Sequence, residues 1–230
     1  MDSASSEEQK NSFLLTTSSW REVHRVVDSP MCNAYEIGRR VSKNPLKNSL
    51  LLGASLCLPS DPRLIRRTDH APVITAEERL VNMRWGFERP ILGTINNSRE
   101  DKLSGPMWSK AFRERRCVIP ASAFFEWSGP KGKKRTHRFT RVDGEWFWIA
   151  GIWEESRDLG LCFSMITTEA NEVMTPIHDR MPAFLEEEEI PGYFAGEMNT
   201  FSPSHESLKV EDSPNPLLKP KGDAVQGELF

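Results

Sequence analysis

Apolar residues in this chain lie in short runs separated by turn-forming residues, a pattern typical of antiparallel β-sheets. Val81–Phe87 alternates between apolar and polar residues, and Leu161–Thr168 is a second strand-like run. His137–Val142 and Trp146–Trp153 are joined through Asp143-Gly144, which predicts a hairpin because Asp-Gly favours tight turns between strands. The 230-residue chain is therefore expected to fold as one α+β domain.

The two ends of the chain differ in composition from its middle. Residues 1–30 are polar and rich in Ser and Thr, and they are interpreted as an extension outside a core domain that spans 31–200. Residues 201–230 are acidic and then rich in Pro and Lys, so a flexible C-terminal tail is expected. Within the core domain, Trp108–Arg116 has the spacing of a short helix.

Membrane, secretory and metal-binding classes are disfavoured. No apolar run approaches the roughly 20 residues that cross a bilayer, and the N-terminus lacks the features of a secretory signal. The sequence contains four cysteines without a Cys-x-x-Cys pair, which argues against a zinc site and a disulfide framework. The chain is interpreted as a cytoplasmic monomer that needs no metal or other cofactor.

The formal net charge of −3 hides a strong asymmetry. Arg99–Arg141 carries 12 Lys and Arg against 4 Asp and Glu, whereas Asp179–Asp212 carries 2 basic against 9 acidic residues. The basic half also contains Trp and Phe, and this mixture suits a groove for single-stranded nucleic acid. An ordinary solvated surface is the alternative explanation.

Common catalytic motifs do not occur in the sequence. The lysine-rich segment Gly129–Lys134 lacks the glycine spacing of a P-loop, and neither a G-x-S-x-G elbow nor an H-E-x-x-H pair occurs. Glu126 stands among aromatic residues in Phe124–Trp127. Buried rings around a carboxyl raise its pKa and suit it to acid–base catalysis, although a strand glutamate that faces water fits equally well.

Other polar residues could carry chemistry, and each also has an ordinary structural explanation. A lone histidine such as His178 is more often structural than catalytic, and Cys32 is either a nucleophile or a small buried apolar residue. Asn97 and Arg99 form the kind of loop pair that contacts anions.

Taken in order, the motifs of the chain are more specific than any one of them. The ordered motifs are Met31-Cys32-Asn33, Arg84–Phe87, Asn97-Ser98-Arg99, Arg115–Pro120, Phe124–Trp127, Ile149–Trp153, Thr167-Thr168 and His178–Pro182. This series resembles the SRAP family, the SOS-response-associated peptidases, and covers roughly Met31 to Leu185.

The resemblance implies a single α+β domain of curved antiparallel sheets with a few helices and a basic DNA channel. It also implies a nucleoid-associated protein of the DNA-damage response that binds abasic sites in single-stranded DNA. Such a protein links to the lesion through an N-terminal cysteine and forms a thiazolidine. Weak abasic-site lyase activity and peptidase activity on its own N-terminus are further implied activities.

The resemblance also implies roles for individual residues. Cys32 is the expected crosslinking residue, because a thiazolidine needs both the α-amine and the thiol of one residue. Glu126 is expected to shuttle a proton during imine formation, His178 to assist opening of the sugar, and Asn97 to orient the amine and the sugar. The expected DNA-binding residues are Arg99, Arg180, Thr167, Trp85 and Trp127, the two tryptophans packing against bases or the channel wall.

The start of the chain departs from the family pattern, in which the catalytic cysteine directly follows the initiator methionine. Here 30 residues precede Met31, and a Cys32 within the chain has an amide nitrogen that cannot form an imine. Three explanations stay open: translation begins at Met31, the extension is removed autocatalytically, or the long form does not crosslink. The first is favoured, because the extension differs from the domain in composition.

The sequence is also compatible with two other functions. Cys32 could serve a thiol peptidase that acts on its own N-terminus, with Glu126 and His178 assisting, or the chain could be a non-catalytic module for single-stranded DNA. Gln226–Phe230 loosely resembles the peptides that dock on replication sliding clamps, and a tail without function is the alternative.

Overall fold

The computed structural model describes residues 31–38, 61–77, 80–203 and 208–218, and β-strands dominate them. The strands are β1 Ala34–Ile37, β2 Arg63–Arg66, β3 His70–Thr75, β4 Leu80–Trp85, β5 Phe87–Arg89, β6 Gly93–Ile95, β7 Asn97–Arg99, β8 Arg116–Ala121, β9 Ala123–Ser128, β10 Arg135–Arg141, β11 Phe147–Ser156, β12 Gly160–Glu169, β13 Arg180–Pro182, β14 Phe184–Leu185 and β15 Leu208–Ser213. The helices are α1 Ser109–Glu114 and α2 Ile190–Ala195, with 3₁₀ turns at Glu100–Lys102 and Glu187–Glu189.

Most strands belong to two sheets. The first sheet has the order β15-β10-β9-β1-β2, and its strands pair antiparallel. The second has the order β13-β12-β4-β3-β8-β11-β14, and an additional pairing of β11 with β12 closes part of it into a barrel-like ring. Its pairs are antiparallel except where β12 runs parallel to β4 and to β7. The expected α+β class, with mostly antiparallel sheets and few helices, is confirmed.

An aromatic cluster packs where the two sheets meet. Phe124 of β9 stacks on Phe139 of β10 with ring centroids 4.7 Å apart, and it meets Phe147 of β11 edge-on at 5.5 Å. Phe184 of β14 stacks on Phe147 at 4.6 Å. Because aromatic rings bury large apolar areas, this cluster is a principal source of stability and fixes β9 against the second sheet.

The predicted hairpin around Asp143-Gly144 is wrong. The strands on either side exist, but β10 pairs with β9 and β15, whereas β11 pairs with β8, β12 and β14. Phe139 and Phe147 explain the difference. Phe139 packs on Phe124 within the first sheet, whereas Phe147 packs on it from the second sheet, so their strands lie in different sheets. The Asp-Gly turn therefore carries the chain from one sheet to the other.

The other local predictions are confirmed in part. The strand predicted at Leu161–Thr168 and the helix at Trp108–Arg116 are confirmed, with α1 shorter than predicted. The strand predicted at Val81–Phe87 is confirmed only as far as Trp85, because β4 ends there and Phe87 begins β5 in another sheet. The expectation of a flexible tail from residue 201 is wrong for β15, which pairs with β10 along its whole length. Residues 1–30 and the segment Gln226–Phe230 lie outside the described residues. Among the helices that the structure describes, none has the length and apolar character of a membrane span.

Candidate active site

The first sheet brings the residues before β1 beside the end of β9. Ala34 pairs with Phe125, so that Cys32, two residues earlier, lies beside the segment Glu126-Trp127 at the end of β9. The backbone nitrogen of Cys32 donates a hydrogen bond of 2.8 Å to Oε2 of Glu126. Cys32 is 0% and Glu126 is 1% exposed. A carboxyl group is therefore in direct contact with the nitrogen of the candidate nucleophile, away from solvent.

Cys32 has an unusual backbone conformation. Its φ angle of +40° lies in the left-handed region, which costs a residue other than glycine about 1–2 kcal/mol. Two neighbouring amides hold the backbone around it. Asn96 Nδ2 donates to the carbonyl oxygen of Cys32 at 3.0 Å, and Asn97 Nδ2 donates to the carbonyl oxygens of Met31 and, at 3.3 Å, of Cys32. These hydrogen bonds offset the cost of the strained conformation.

The thiol of Cys32 is held in its protonated form. Its Sγ lies 3.4 Å from the carbonyl oxygen of Ala34, a geometry that allows the S–H to donate. Burial raises the pKa of this thiol far above its usual range, and the nearby charge of Glu126 raises it further. A reaction at this sulfur therefore needs an acceptor for its proton.

Glu126 is the group in the site best placed to exchange protons. Burial raises the pKa of its carboxyl above the usual value, because the charged form loses its hydration. The hydrogen bond from Cys32, the electrostatic interaction with His178, the 3.1 Å hydrogen bond from the backbone nitrogen of Trp127 and the charge of Lys134 oppose this shift. A raised pKa brings a carboxyl closer to neutral pH, where it can both give and take a proton.

His178 lies at the edge of the same site. Its ring is 11% exposed, and Nδ1 accepts a hydrogen bond of 3.0 Å from the backbone nitrogen of Arg180. Oδ1 of Asp179 also lies 3.0 Å from Nδ1. These contacts orient the ring, which is close enough to Glu126 to act on the pKa of that carboxyl.

A charged cluster adjoins His178. Asp101 accepts hydrogen bonds of 3.0 and 3.1 Å from Arg99 and lies 3.7 Å from the guanidinium of Arg180. Arg180 also donates to the carbonyl oxygen of Thr167. The side chain of Arg99 is 44% exposed and that of Arg180 is 11% exposed, while Thr167 is buried. Arg99 is therefore the more accessible cation for an anionic ligand.

The two predicted tryptophans occupy different environments. Trp85 is completely buried, meets Tyr35 edge-on at 5.0 Å and stacks on Phe163 at 6.3 Å. Contact between Trp85 and a DNA base is therefore not possible in this structure, because core side chains cover its ring. Trp127 is only half-buried and directly follows Glu126.

Four of the predicted residues come together, and a fifth residue joins them. Cys32 is hydrogen-bonded to both Asn97 and Glu126, and His178 is close enough to affect the pKa of Glu126. Asn96 is not among the residues that the sequence singles out, and its only signal there is its place beside Asn97. In the part of the chain that the structure describes, no group of three His, Cys, Asp or Glu residues could hold a metal ion.

Comparisons with known proteins agree on one family. The family model described as SOS response associated peptidase (SRAP) matches residues 58–216. The match includes Asn97, Glu126 and His178 and begins after Cys32. More than half of the chain is covered by this match.

Several curated proteins are similar over part of their length. The abasic site processing protein YoqW of Bacillus subtilis is 36% identical over 126 residues, which cover 49% of this chain and 56% of YoqW. The abasic site processing protein HMCES of Xenopus tropicalis is 28% identical over 148 residues, which cover 50% of this chain and 44% of HMCES. The chain thus spans about half the length of these relatives.

Solved structures share the fold. A protein from Bacteroides thetaiotaomicron superimposes with a TM-score of 0.63 at 20% identity, over 80% of this chain and 93% of that protein. A protein from Bordetella bronchiseptica gives a TM-score of 0.61 at 20% identity, over 80% of this chain and 100% of its own.

Proposed function

The chain belongs to the SRAP family of SOS response associated peptidases, and from this premise we propose that it attaches covalently to abasic sites in single-stranded DNA through Cys32. The observation that best supports the proposal is the 2.8 Å hydrogen bond between the nitrogen of Cys32 and the buried carboxyl of Glu126. The proposal concerns a form of the chain in which Cys32 is the first residue, since only then is this nitrogen an amine. The names of these relatives, abasic site processing proteins, support the choice of lesion.

The first step joins the amine to the opened sugar. An abasic deoxyribose equilibrates with its open-chain aldehyde, and an α-amine with a pKa of about 7.7–8.0 is partly neutral at pH 7. The nitrogen of Cys32 forms a bond to the aldehyde carbon, and Glu126 takes the proton that the nitrogen releases. Glu126 returns this proton to the former aldehyde oxygen, which gives a carbinolamine. It then carries the second nitrogen proton to the new hydroxyl, so that the carbon–oxygen bond breaks, water leaves and an imine remains. A carboxyl with a raised pKa suits both transfers.

The second step closes the ring. Sγ of Cys32 adds to the imine carbon, and the thiol proton passes to the imine nitrogen, which is basic enough to accept it. The product is a five-membered thiazolidine that contains the nitrogen and the sulfur of one residue. Because burial disfavours the free thiolate, we expect the proton transfer and the formation of the carbon–sulfur bond to occur together.

The surrounding residues support these steps. His178 is close enough to Glu126 to affect the pKa of that carboxyl, and it is proposed to donate a proton to the ring oxygen as the sugar opens. Asn97 is proposed to orient the amine and the sugar, and Oδ1 of its amide has no hydrogen-bond partner within the described part of the chain. Arg99 and Arg180 are proposed to contact phosphates. The imine also permits β-elimination, so weak strand cleavage is a proposed side reaction.

The test compares two forms of the chain, one beginning at Cys32 and one beginning at Met1. Each is incubated with a single-stranded oligonucleotide that carries one abasic site, and a denaturing gel measures the heat-stable adduct. We expect an adduct from the short form, none from its Cys32→Ala variant and none with an intact oligonucleotide. A folded short form that binds the oligonucleotide without an adduct would reject crosslinking and favour a non-catalytic DNA-binding module.

A second candidate activity is cleavage of the bond between Met31 and Cys32. Its support is the hydrogen bond from Asn97 Nδ2 to the carbonyl oxygen of Met31, where an oxyanion would develop, and the contact of Glu126 with the nitrogen that would leave. Sγ of Cys32 would attack the Met31 carbonyl carbon as its proton passes to Glu126, and Glu126 would deliver this proton to the nitrogen while the carbon–nitrogen bond breaks. Water would then hydrolyse the resulting thioester.

The intact mass of the purified full-length chain tests this cleavage. Cleavage predicts a product that begins at Cys32, and the Cys32→Ala variant should stay at full length under the same conditions. A wild-type chain that keeps its full mass over days at neutral pH would contradict self-cleavage. It would leave the crosslinking proposal unaffected.

A further inference from the structure

Asn96 is the residue in most direct contact with Cys32 that neither the family motifs nor the proposed mechanism uses. Its Nδ2 donates a hydrogen bond of 3.0 Å to the carbonyl oxygen of Cys32, from a position 64 residues away in the sequence. Asn96 is only 4% exposed. A polar side chain in such a place costs free energy unless its hydrogen bonds are satisfied, and this one is satisfied by the candidate nucleophile.

Two hydrogen bonds fix the backbone of Asn96. Its carbonyl oxygen accepts hydrogen bonds of 2.9 Å from Nε1 of Trp85 and 3.0 Å from the backbone nitrogen of Met165. Trp85 is itself held by its stack on Phe163. The side-chain amide of Asn96 therefore extends from a well-fixed backbone, and its hydrogen bond restrains the carbonyl group of Cys32.

Asn96 and Asn97 hold different parts of the chain. Asn97 divides its amide between the carbonyl oxygens of Met31 and Cys32, and its contact with Cys32 is the longer one, at 3.3 Å. When Cys32 is the first residue, the Met31 carbonyl no longer exists, and the amide of Asn97 becomes available for the substrate. The short hydrogen bond from Asn96 then remains to fix the carbonyl of Cys32.

We propose that Asn96 is a positioning residue that aims the α-amine of Cys32 at the carboxyl of Glu126 and at the aldehyde. The inference rests on the proposed function and deepens it. Fixing the carbonyl oxygen sets the rotation of the Cys32 backbone, and that rotation sets the direction of the amine. Misplacement of a reacting group by about 1 Å costs on the order of 100-fold in rate.

The experiment uses the chain that begins at Cys32, with two substitutions that leave the shape of residue 96 nearly unchanged. Asn96→Leu removes the hydrogen-bond donor, and Asn96→Asp places a carboxylate beside the carbonyl oxygen of Cys32, the residue that carries the amine. The single-turnover rate of adduct formation is measured against pH at saturating abasic oligonucleotide. The affinity for the same oligonucleotide is measured separately with Cys32→Ala in each background.

We expect Asn96→Leu to lower the maximal rate about 10- to 100-fold at every pH, with affinity changed less than about twofold. Asn96→Asp should in addition move the acid limb of the pH–rate profile to higher pH by about 1 unit, because a nearby negative charge stabilises the ammonium form of the amine. A purely structural role of Asn96 would lower the stability of Asn96→Leu and leave the single-turnover rate of the folded variant unchanged.

Ser98→Ala is the matched control. Ser98 is also fully buried, and its Oγ lies 2.7 Å from Oγ of Ser164, so its loss removes a buried hydrogen bond from the same segment without a contact to Cys32. The control should lose stability and keep the wild-type rate and pH profile. Asn96 variants that match this behaviour would overturn the inference, whereas a wild-type chain without adduct would reject the proposed function itself.

Discussion

The carboxyl of Glu126 meets the backbone nitrogen of Cys32 at 2.8 Å, although 94 positions separate the two residues in the sequence. The contact depends on the pairing of β1 with β9, which are neighbours in the first sheet. A carboxyl that is almost fully buried carries a cost for the fold, and this cost has a measurable pH dependence.

Glu126→Gln should stabilise the protein while it abolishes most of the reaction. The pKa of Glu126 is raised in the folded state, so the unfolded state releases its proton at lower pH and the carboxyl destabilises the fold once pH rises above about 4.3. The stability advantage of the variant should therefore be absent below about pH 4, grow as pH rises toward the raised pKa of the folded state, and stay constant above it. Urea unfolding across this range measures it, and the adduct rate should fall about 10²- to 10⁴-fold. A variant that is less stable than wild type at pH 8 would contradict the assignment.

The strands of this chain could be predicted from sequence, but their partners could not. Alternation and aromatic content identified strand segments such as Leu161–Thr168, because these patterns are local. The pairing of β10 depends instead on where Phe139 and Phe147 bury their rings. Phe139 packs against Phe124 within the first sheet, and Phe147 packs against Phe124 from the second sheet. A turn signal such as Asp143-Gly144 carries no information on that choice.

The candidate site was predictable only in part for a similar reason. The motif order identified Cys32, Asn97, Glu126 and His178 as a set, since each stands in a recognisable motif. The role of Asn96 depends on a hydrogen bond to a backbone carbonyl 64 residues away, which no residue pattern reveals. Nor can a sequence distinguish a tryptophan that stacks on a base from one in a core, because both environments favour the same ring.

Cys32→Ser should separate the two steps of the proposed reaction. The α-amine and Glu126 remain, so the imine should form at a rate within a few-fold of wild type and be trapped by borohydride. A hydroxyl is a poorer nucleophile than a thiol, and the heat-stable adduct without borohydride should be lost. The comparison of gels with and without borohydride measures both steps. A serine variant that forms an equally heat-stable adduct would show that the sulfur is not required.

Trp85 and Trp127 should give opposite phenotypes when changed to alanine. Trp85 is fully buried between Tyr35 and Phe163, so Trp85→Ala should destabilise the fold by about 3–5 kcal/mol. Trp127 is half-buried beside Glu126, and Trp127→Ala should cost less stability and weaken the binding of single-stranded DNA. Thermal unfolding and fluorescence anisotropy measure the two effects. Equal losses of stability in both variants would contradict the different environments.

Arg99→Gln should reduce the salt dependence of DNA binding more than Lys102→Gln does. The side chain of Arg99 is 44% exposed and shares Asp101 with Arg180, and we expect a phosphate to replace Asp101 as its partner. Loss of one phosphate contact on single-stranded DNA lowers the slope of log K against log[salt] by about 0.7. Lys102 is 67% exposed in the adjoining turn and is the matched control for a change of net charge.

Titrations of the Cys32→Ala background at several salt concentrations measure the slope without interference from the covalent step. Arg99→Gln should show the reduced slope, and Lys102→Gln should keep nearly the wild-type one. Equal slopes in the two variants would mean that Arg99 acts through general charge alone. The ion pair with Asp101 would then have a structural function, holding the turn at Glu100–Lys102 beside β7.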